Sequence, residues 1–567
     1  MRKFKVGNER EFGMNELLSC FNKKSKNQKK SLKLKRQDAI LSRNHAVKKY
    51  SVTRENINTT VFACPGSGVK RSYLYPNMLQ PNSSFVVMDH QREIYNNMKS
   101  FLERNGYKVQ ILDLEQPSKS DNYNPLLYCK TACDVDNLVD CFLLPTKDLL
   151  VSEALKLISC ACVSFLTLNA PGKSVPYCCL PEIVGEKFYI PNPTLDDFFD
   201  MLEMAFSRNG KSYWSLVDMF KRIENYEQAY ASERSYCLFN WVNYYNCVDV
   251  IKDASCYSSS SLLDAFRKIK FDKTTSGNKI SIESFGIEKT AVFINIPYVA
   301  QEQLYLVRMF LHQVYSVLFR FSEELIGSKK IVLPNGELVR WISPREVSLW
   351  NDKRVYADIL KDYLPQNVYC KVESYLNDVG TRENSLMYNV YSSSENRIAS
   401  FPSFLSSQKY IRAIKNAEIK DCVGCCLPVP VRVFIKDIEM IGEIPCFTDY
   451  MAIARGVNIS TTIITQSIDE IEKVYGDHAE VILENCAYWL FMGASSPDKC
   501  EFLENRIRTL YRKDVCVQMG SDCEYSKDRL WMMPIHKMVG LACQKGEFWI
   551  DDKFILEEHP NYKYLND

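Results

Sequence analysis

Between residues 50 and 130 of the 567-residue chain, short apolar blocks alternate with stretches of helical period. Val61-Phe62 runs into a small-residue turn, Gly66-Ser67-Gly68, and a helix-compatible segment follows. "FVVMD" (85–89) is an apolar run that ends in an acid. In "REIYNNMKSFLERNGYKV" the residues Ile94, Met98, Phe101 and Leu102 share one helical face, and Gly106 marks a stop. "KVQILDL" (108–114) then alternates as a strand. Strand, loop, helix, strand, helix, strand is the opening of a parallel α/β sheet.

From about 131 to 279 the pattern turns helical, as in "DDFFDMLEMAF" and "YWSLVDMFKRIENYEQAY". "TAVFINIP" (290–297) returns to a buried strand, and a long amphipathic helix follows it. Residues 327–428 are polar and rich in Ser, Asn and Tyr, and read as an irregular insertion of unknown role. "VRVFIKDI" (431–438), "VNISTTIITQS" (457–467) and "YWLFMGASS" (488–496) are further strands. Because the sheet resumes after the helical block, that block is an insertion into one α/β domain. The expected division is a flexible basic segment (1–50), an α/β domain in three parts (51–130, 280–326, 429–567 with a C-terminal tail), an all-α insert (131–279) and the second insertion (327–428). In such a sheet a nucleotide site lies at the carboxyl ends of the strands. Residues 63–70, 436–439 and 465–467 fall there.

Charge sharpens this division. The chain holds 71 basic and 69 acidic residues, but residues 1–54 carry 16 Lys/Arg against 4 Asp/Glu, which leaves a net −10 on the remainder. "KKSKNQKKSLKLKR" (23–36) has too little apolar surface to fold alone. It is a solvated tail, or a surface for phosphates of DNA or of an anionic membrane. The 22 cysteines show no paired framework, which suits a reducing cytosol. The one tight cluster, Cys422, Cys425 and Cys426, lacks a second ligand pair for zinc, so no metal ligand is assigned. The charged start predicts no signal peptide. "LISCACVSFLTL" (157–168) is too short to span a bilayer and predicts a buried core helix.

The candidate chemistry begins with "VFACPGSGVKRSYLYPNML" (61–79). A phosphate loop reads G-x-x-x-x-G-K-[ST]. With Gly68 as the second glycine, the first glycine is replaced by Ala63, the lysine by Val69 and the hydroxyl by Lys70. Val69 cannot act as a charge on the phosphates, and a one-residue shift that brings in Lys70 places Arg71 where Mg²⁺ needs a hydroxyl. The backbone of Gly66, Ser67, Gly68, Val69, Lys70 and Arg71 still offers a cradle for a phosphate.

With these features, five stretches in order resemble the TraG/TraD-type coupling proteins of conjugation and type IV secretion. They are "GSGVKRSYLYPNML" at the loop, "SFVVMDHQRE" at the family's strand-Asp-Pro-Lys-Gly-Glu, and "YNPLLY" (123–128) at its Tyr-Asn-Pro turn. "IGEIPCFTDYMAIARGVNISTTIITQSIDEIEKVYG" (441–476) matches the segment after the second acidic motif, and "ILEEHPNYKYLND" (555–567) the C-terminal tail. The resemblance implies a RecA-like P-loop NTPase fold, a mostly parallel sheet flanked by helices with an inserted all-α domain. It implies a hexamer, of one chain or mixed, that links a DNA–relaxase or other secretion substrate to channel proteins. It also implies Arg455 as an arginine that reaches a neighbouring subunit's phosphate and Gln466 as a sensor. In the second acidic motif the family's Asp-Glu becomes Lys436-Asp437, so a lysine stands at the metal position. The family's membrane helices near the N-terminus are replaced here by the basic head.

Three readings stay open. In the first, the chain is a degenerate coupling protein that scaffolds substrate, with ATP binding weak or lost and Mg²⁺ doubtful. In the second it is an active ATPase using Lys70 with Asp437 or Glu439. In the third it is a structural subunit that no longer binds nucleotide. All three place it in the cytoplasm, with the basic head available to hold it at the inner face of the membrane and to bind single- or double-stranded DNA.

Overall fold

The computed structural model describes residues 38–48, 55–143, 148–167, 190, 192–207, 210–230, 233–256, 277–297, 304–333, 338–344, 369–376, 382–391, 397–401, 404–414, 416–421, 426–511, 526–562 and 565. Nine strands form the main sheet: β1 (Thr59–Phe62), β2 (Ser84–Asp89), β3 (Lys108–Asp113), β4 (Thr290–Asn295), β5 (Val431–Lys436), β6 (Ile459–Thr465), β7 (Tyr488–Phe491), β8 (Lys537–Ala542) and β9 (Glu547–Asp552). Their order across the sheet is β9-β8-β7-β1-β6-β5-β2-β4-β3. The seven strands from β7 to β3 are parallel, and the β8–β9 hairpin adds an antiparallel edge.

The central strands are apolar without interruption because both faces are covered. Phe62, Val86, Met88 and Leu112 point into one core, while Val61, Phe85, Val87 and Ile111 point into the other. Helix α1 (Glu93–Arg104) lies between β2 and β3 and buries Ile94, Met98, Phe101 and Leu102, the face expected from the sequence.

Between β3 and β4 the chain forms the all-α insert: α2 (Ala132–Phe142), α3 (Leu149–Thr167), α4 (Leu195–Phe206), α5 (Lys211–Tyr230) and α6 (Tyr236–Tyr245). Thr131 with Asp134 and Thr194 with Asp197 close capping boxes at α2 and α4, each satisfying otherwise orphaned amides. Helix α3 is 19 residues long, longer than the apolar run in the sequence, and is long and apolar enough to cross a membrane; 67% of its apolar window is buried inside the fold. Phe220 and Trp241 stack at 4.1 Å behind it. Helix α7 (Leu304–Glu324) joins this insert to the sheet. Its Gln313 accepts from Tyr123 Oη at 2.5 Å and donates to Pro125 O at 2.9 Å, so the Tyr-Asn-Pro turn is fastened to α7.

Residues 327–428 are more regular than their composition implies. Lys329–Val332 pairs with Leu338–Ile342 and with Glu418–Asp421 in one small sheet. Tyr369–Leu376, Arg382–Tyr391 and Arg397–Phe401 form another, and helix Phe404–Ile414 packs beside it. Their own core is small, chiefly Leu333, Val390, Tyr410 and Ile414, which is why apolar periodicity is faint there. Of the cysteine cluster, Cys422 and Cys425 lie outside the described residues, and Cys426 is buried.

The basic segment also does not stay apart as far as residue 50. Ala39–Ile40 and Ala46–Val47 form a short hairpin, with Ile40 fully buried. Its anchor is Asn77, on the helix that follows the loop. The Asn77 amide nitrogen donates to Ile40 O (2.9 Å) and Tyr73 O (2.8 Å), and its oxygen accepts from Ile40 N (2.9 Å) and from Arg432 Nη1 (3.0 Å). Arg432 is itself buried inside β5. Replacing Asn77 by Leu strands these groups in a dry site. The expected loss is about 3 kcal/mol in stability, measured by urea unfolding, together with faster proteolysis of the 38–48 hairpin.

Candidate functional site

The loop leaves the middle of the sheet with both sides clamped. Ala63 N donates to Thr465 O (2.9 Å) at the end of β6, and Cys64 N donates to Gly493 O (3.2 Å) beyond β7. Ser67 N then donates back to Cys64 O (3.1 Å), closing a turn. Gly66 and Gly68 have φ of +81° and +79°. A Cβ at Gly66 would meet nothing within 4 Å, so glycine is needed there for the backbone angle and not for space. Lys70–Leu74 follows as a π-helical turn before Tyr75–Met78 becomes α-helical. A π turn takes up one more residue than an α turn and often marks a functional site.

The side chains of Val69, Lys70 and Arg71 are each engaged within the chain. Val69 packs against the core beneath the loop. Lys70 forms an ion pair with Glu93, and Arg71 forms one with Glu557 of the C-terminal tail. Lys553, also from that tail, is buried and donates to Ser67 O and Met492 O, both at 2.8 Å. Ser67 Oγ is buried and makes no hydrogen bond.

Two strands away, at the carboxyl end of β5, Lys436 Nζ lies 2.6 Å from Asp437 Oδ2. His90 Nε2 lies 3.3 Å from the same oxygen, and its Nδ1 is 3.1 Å from Ile296 O. The Nδ1 contact is a hydrogen bond in which the ring N–H donates to the carbonyl, and the Nε2 contact is a close polar approach. Burial works to raise the Asp437 pKa, but the His90 and Lys436 contacts outweigh it and hold the carboxyl below its ordinary range. Glu439 is shifted the other way, first by burial and then by the fields of Glu470 and Asp437. Glu470 accepts from Thr465 Oγ1 (2.6 Å) and from Gln466 N (2.8 Å).

Asp89 ends β2 and caps α1, accepting from the amides of His90, Ile94 and Tyr95 at 2.8–3.1 Å. Gln91 and Arg92 both have φ of +56°. Arg92 occupies the glycine of the family's Asp-Pro-Lys-Gly-Glu pattern. Its backbone is held by Asn295 Oδ1 (3.0 Å) and its guanidinium by Asp113, which offsets the cost of the left-handed conformation.

Residues 66–71, Asp437 and Gln466 therefore stand at the carboxyl ends of β1, β5 and β6. Arg455 does not join them. It is exposed at the opposite edge of the sheet, beside Glu55, Asn56 and Asn458. Sequence reasoning missed His90, whose position in the family pattern is a proline, and Lys553, which lies far along the chain from the loop. Only the "DHQRE" departure could have pointed to His90.

The family model for type IV secretory system conjugative DNA transfer matches residues 14–333, and the one described as the TraM recognition site of TraD and TraG matches residues 430–507. The chain belongs to the TraG/TraD-type coupling proteins. Among solved structures, the plasmid coupling protein TrwB in complex with ADP and Mg²⁺ is similar at 9% identity and a TM-score of 0.51, covering 92% of this chain and 90% of that one. TrwB with a non-hydrolysable ATP analogue aligns at 9% identity, a TM-score of 0.49 and 92% and 90% coverage. VirB4 of Thermoanaerobacter pseudethanolicus aligns at 12% identity, a TM-score of 0.42 and 89% and 90% coverage. No curated protein sequence matches the chain. The fold of this coupling protein is the RecA-like P-loop fold with an inserted helical domain. The two family matches leave out residues 334–429, most of which belong to the second insertion.

The tail of the coupling protein covers its loop helix. Besides Arg71–Glu557, Asn561 Nδ2 donates to Leu79 O (2.8 Å) and His559 is buried. Burial pushes the His559 pKa down to about 4. The unfolded chain thus takes up this proton first, near pH 6.5, and stability is lost as pH falls from there to about 4. Up to about 3 kcal/mol is expected from this group. Urea midpoints between pH 7 and 4.5 should show the decline, and His559→Gln should flatten it.

Proposed function

We propose that this coupling protein is a binding and scaffolding subunit of a conjugative type IV secretion system, one that keeps a phosphate loop without appreciable ATP hydrolysis. The observation that carries this reading is the Lys436–Asp437 pair at 2.6 Å. An ammonium stands where the family holds Mg²⁺, and it ties up the neighbouring carboxylate that would activate water. His90 Nε2 approaches the same oxygen at 3.3 Å. At the loop, Lys70 and Arg71 replace the hydroxyl ligand and are each bound to a glutamate. This donor set does not fit Mg²⁺.

A phosphoryl group fits better. Ser67 Oγ is buried without a partner, and among the described residues the amides of Gly66, Gly68 and Val69 make no backbone bond outside the helix. TrwB, solved with ADP and Mg²⁺, supports nucleotide binding in a protein of this fold. On this reading a nucleotide is a structural ligand. Arg455, remote from its own loop, serves a contact with the next subunit of a ring. The substrate is a relaxase with its DNA or another secreted protein, delivered at the cytoplasmic side of the membrane.

A second reading, an active motor, draws on Glu439. Its Oε2 is buried without a hydrogen bond and burial shifts its carboxyl toward the protonated form, the direction that makes a carboxylate a stronger general base. Steady-state ATP turnover with single-stranded DNA decides between the two. The scaffold reading expects background rates, and expects Mg²⁺-dependent nucleotide binding only when Lys436→Asp is combined with Val69→Lys and Lys70→Thr. Robust turnover that disappears in Glu439→Gln would establish the motor instead.

The basic stretch 23–36 lies outside the described residues. If it is the DNA-binding element, log affinity for DNA falls steeply with log salt, because each neutralised phosphate releases counterions. Deleting residues 1–36, which spares the 38–48 hairpin, should remove most of that slope in a fluorescence-anisotropy titration. An unchanged slope would place the DNA contact elsewhere.

A further inference from the structure

Lys553 is a buried ammonium, with a residue exposure of 6%. It follows β9 and crosses to the carboxyl edge of the sheet, where its Nζ donates to Ser67 O in the loop and to Met492 O beyond β7. Among the described residues no carboxylate pairs with it. The adjacent acids are committed elsewhere. Asp551 accepts from Ser42 (2.6 Å) and from the backbone and side chain of Asn44 (2.8 and 2.7 Å), and meets His45 at 3.1 Å. Asp552 pairs with Lys537 at 2.7 Å and Arg43 at 3.4 Å. The Cys64 thiol is the titratable group whose field acts on Lys553. A cation buried without an anion is costly, and most proteins avoid it.

The loop beside it offers the complementary feature. Ser67 carries a hydroxyl that is buried and unbonded, and its own carbonyl takes one of the Lys553 hydrogen bonds. The loop's own cation positions do not supply charge: Val69 is apolar, and Lys70 is neutralised by Glu93.

We propose that Lys553, delivered from the C-terminal tail, supplies the positive charge for a phosphoryl group bound at residues 64–69, in place of the lysine that Val69 has replaced. This deepens the nucleotide-binding reading given above and rests on it. The bound phosphoryl group supplies the missing counter-charge, and the two carbonyls orient the ammonium against the loop. The group belongs either to a nucleotide or to a nucleic-acid backbone, because both present the same oxygens.

The arrangement links binding to a proton. Burial lowers the Lys553 pKa to about 8 in the free protein, and an adjacent anion raises it again. Binding near pH 8 therefore takes up about half a proton, whereas near pH 6.5 the ammonium is already charged and uptake vanishes. Affinity falls as pH rises above 8.

The test is calorimetry on the intact chain with three probes: ADP, inorganic phosphate and a short thymidine oligonucleotide. Each is titrated at pH 6.5 and pH 8 in buffers of different ionisation enthalpy. ADP is expected to bind with proton uptake at pH 8, to weaken at least about tenfold in Lys553→Met, and to be restored in Lys553→Arg, since removing one member of a buried charge pair costs at least that much. Uptake in the unmutated chain is a readout that a folding defect in the variant cannot imitate. If only the oligonucleotide shows the Lys553-dependent uptake, the phosphoryl site stands and its ligand is nucleic acid, while the nucleotide reading fails. If ADP binds with equal affinity in wild type and Lys553→Met and without proton uptake, the Lys553 assignment is overturned and the nucleotide reading survives. If none of the three probes binds, both fall.

Discussion

One side-chain amide holds together the parts of the chain on which the loop depends. Asn77 meets the N-terminal hairpin through both Ile40 backbone groups, its own helix through Tyr73 O, and the interior of the sheet through Arg432. Asn77 is completely buried, so these bonds form in a medium where the alternative is an unsatisfied group and not a hydrated one. The arrangement sets the height and tilt of helix 70–78 above β5. It therefore also sets where the turn at Gly66–Gly68 sits relative to the ends of β1 and β6. A buried guanidinium near the start of a parallel strand is a hazard that such a partner helps to offset.

The carboxyl edge above this joint is crowded with charge, yet the charge is mostly spent internally. Lys70, Arg71 and Lys436 each face a carboxylate of the same chain, and Asp89 is absorbed in capping α1. A site prepared for Mg²⁺ and a triphosphate keeps its carboxylates open to the metal and its lysine open to the phosphates. Here those groups answer one another. Exceptions among the described residues are Ser67 Oγ and Glu439 Oε2, which make no hydrogen bond, and Lys553, which donates to two carbonyls but pairs with no carboxylate.

The sheet was legible in the sequence where both faces of a strand are buried. "FVVMD", "TAVFINIP" and "VRVFIKDI" stand out because a doubly covered strand has no need of polar alternation. Helix α1 was legible because only one of its faces is covered. The edge hairpin β8–β9 escaped notice: β9 carries Glu, Trp and two Asp residues on an outer strand, which blurs any period. The strands of residues 327–428 escaped for a related reason, since a core of a few side chains imposes little pattern. At the site, the loop and the acidic strand end could be read from spacing along the chain. The roles of His90 and Lys553 could not, because they arise from contacts across 347 and 486 residues of sequence separation. Arg455 shows the opposite limit. Its spacing to Gln466 fits the family, but the two residues flank β6 and so stand at its opposite ends, which the strand in the sequence already implied.

The way the second insertion begins and ends has a historical implication. Lys329–Val332, on the way out, is hydrogen-bonded antiparallel to Glu418–Asp421, on the way back, with Val332 opposite Glu418. Departure and return are thus neighbouring strands about 5 Å apart. An excursion whose ends already meet adds only a loop-closure cost to the host, and that cost grows slowly with length. Such a segment could have been acquired in one genetic event between existing elements, and could diverge or be exchanged afterwards without the nine-stranded sheet having to change.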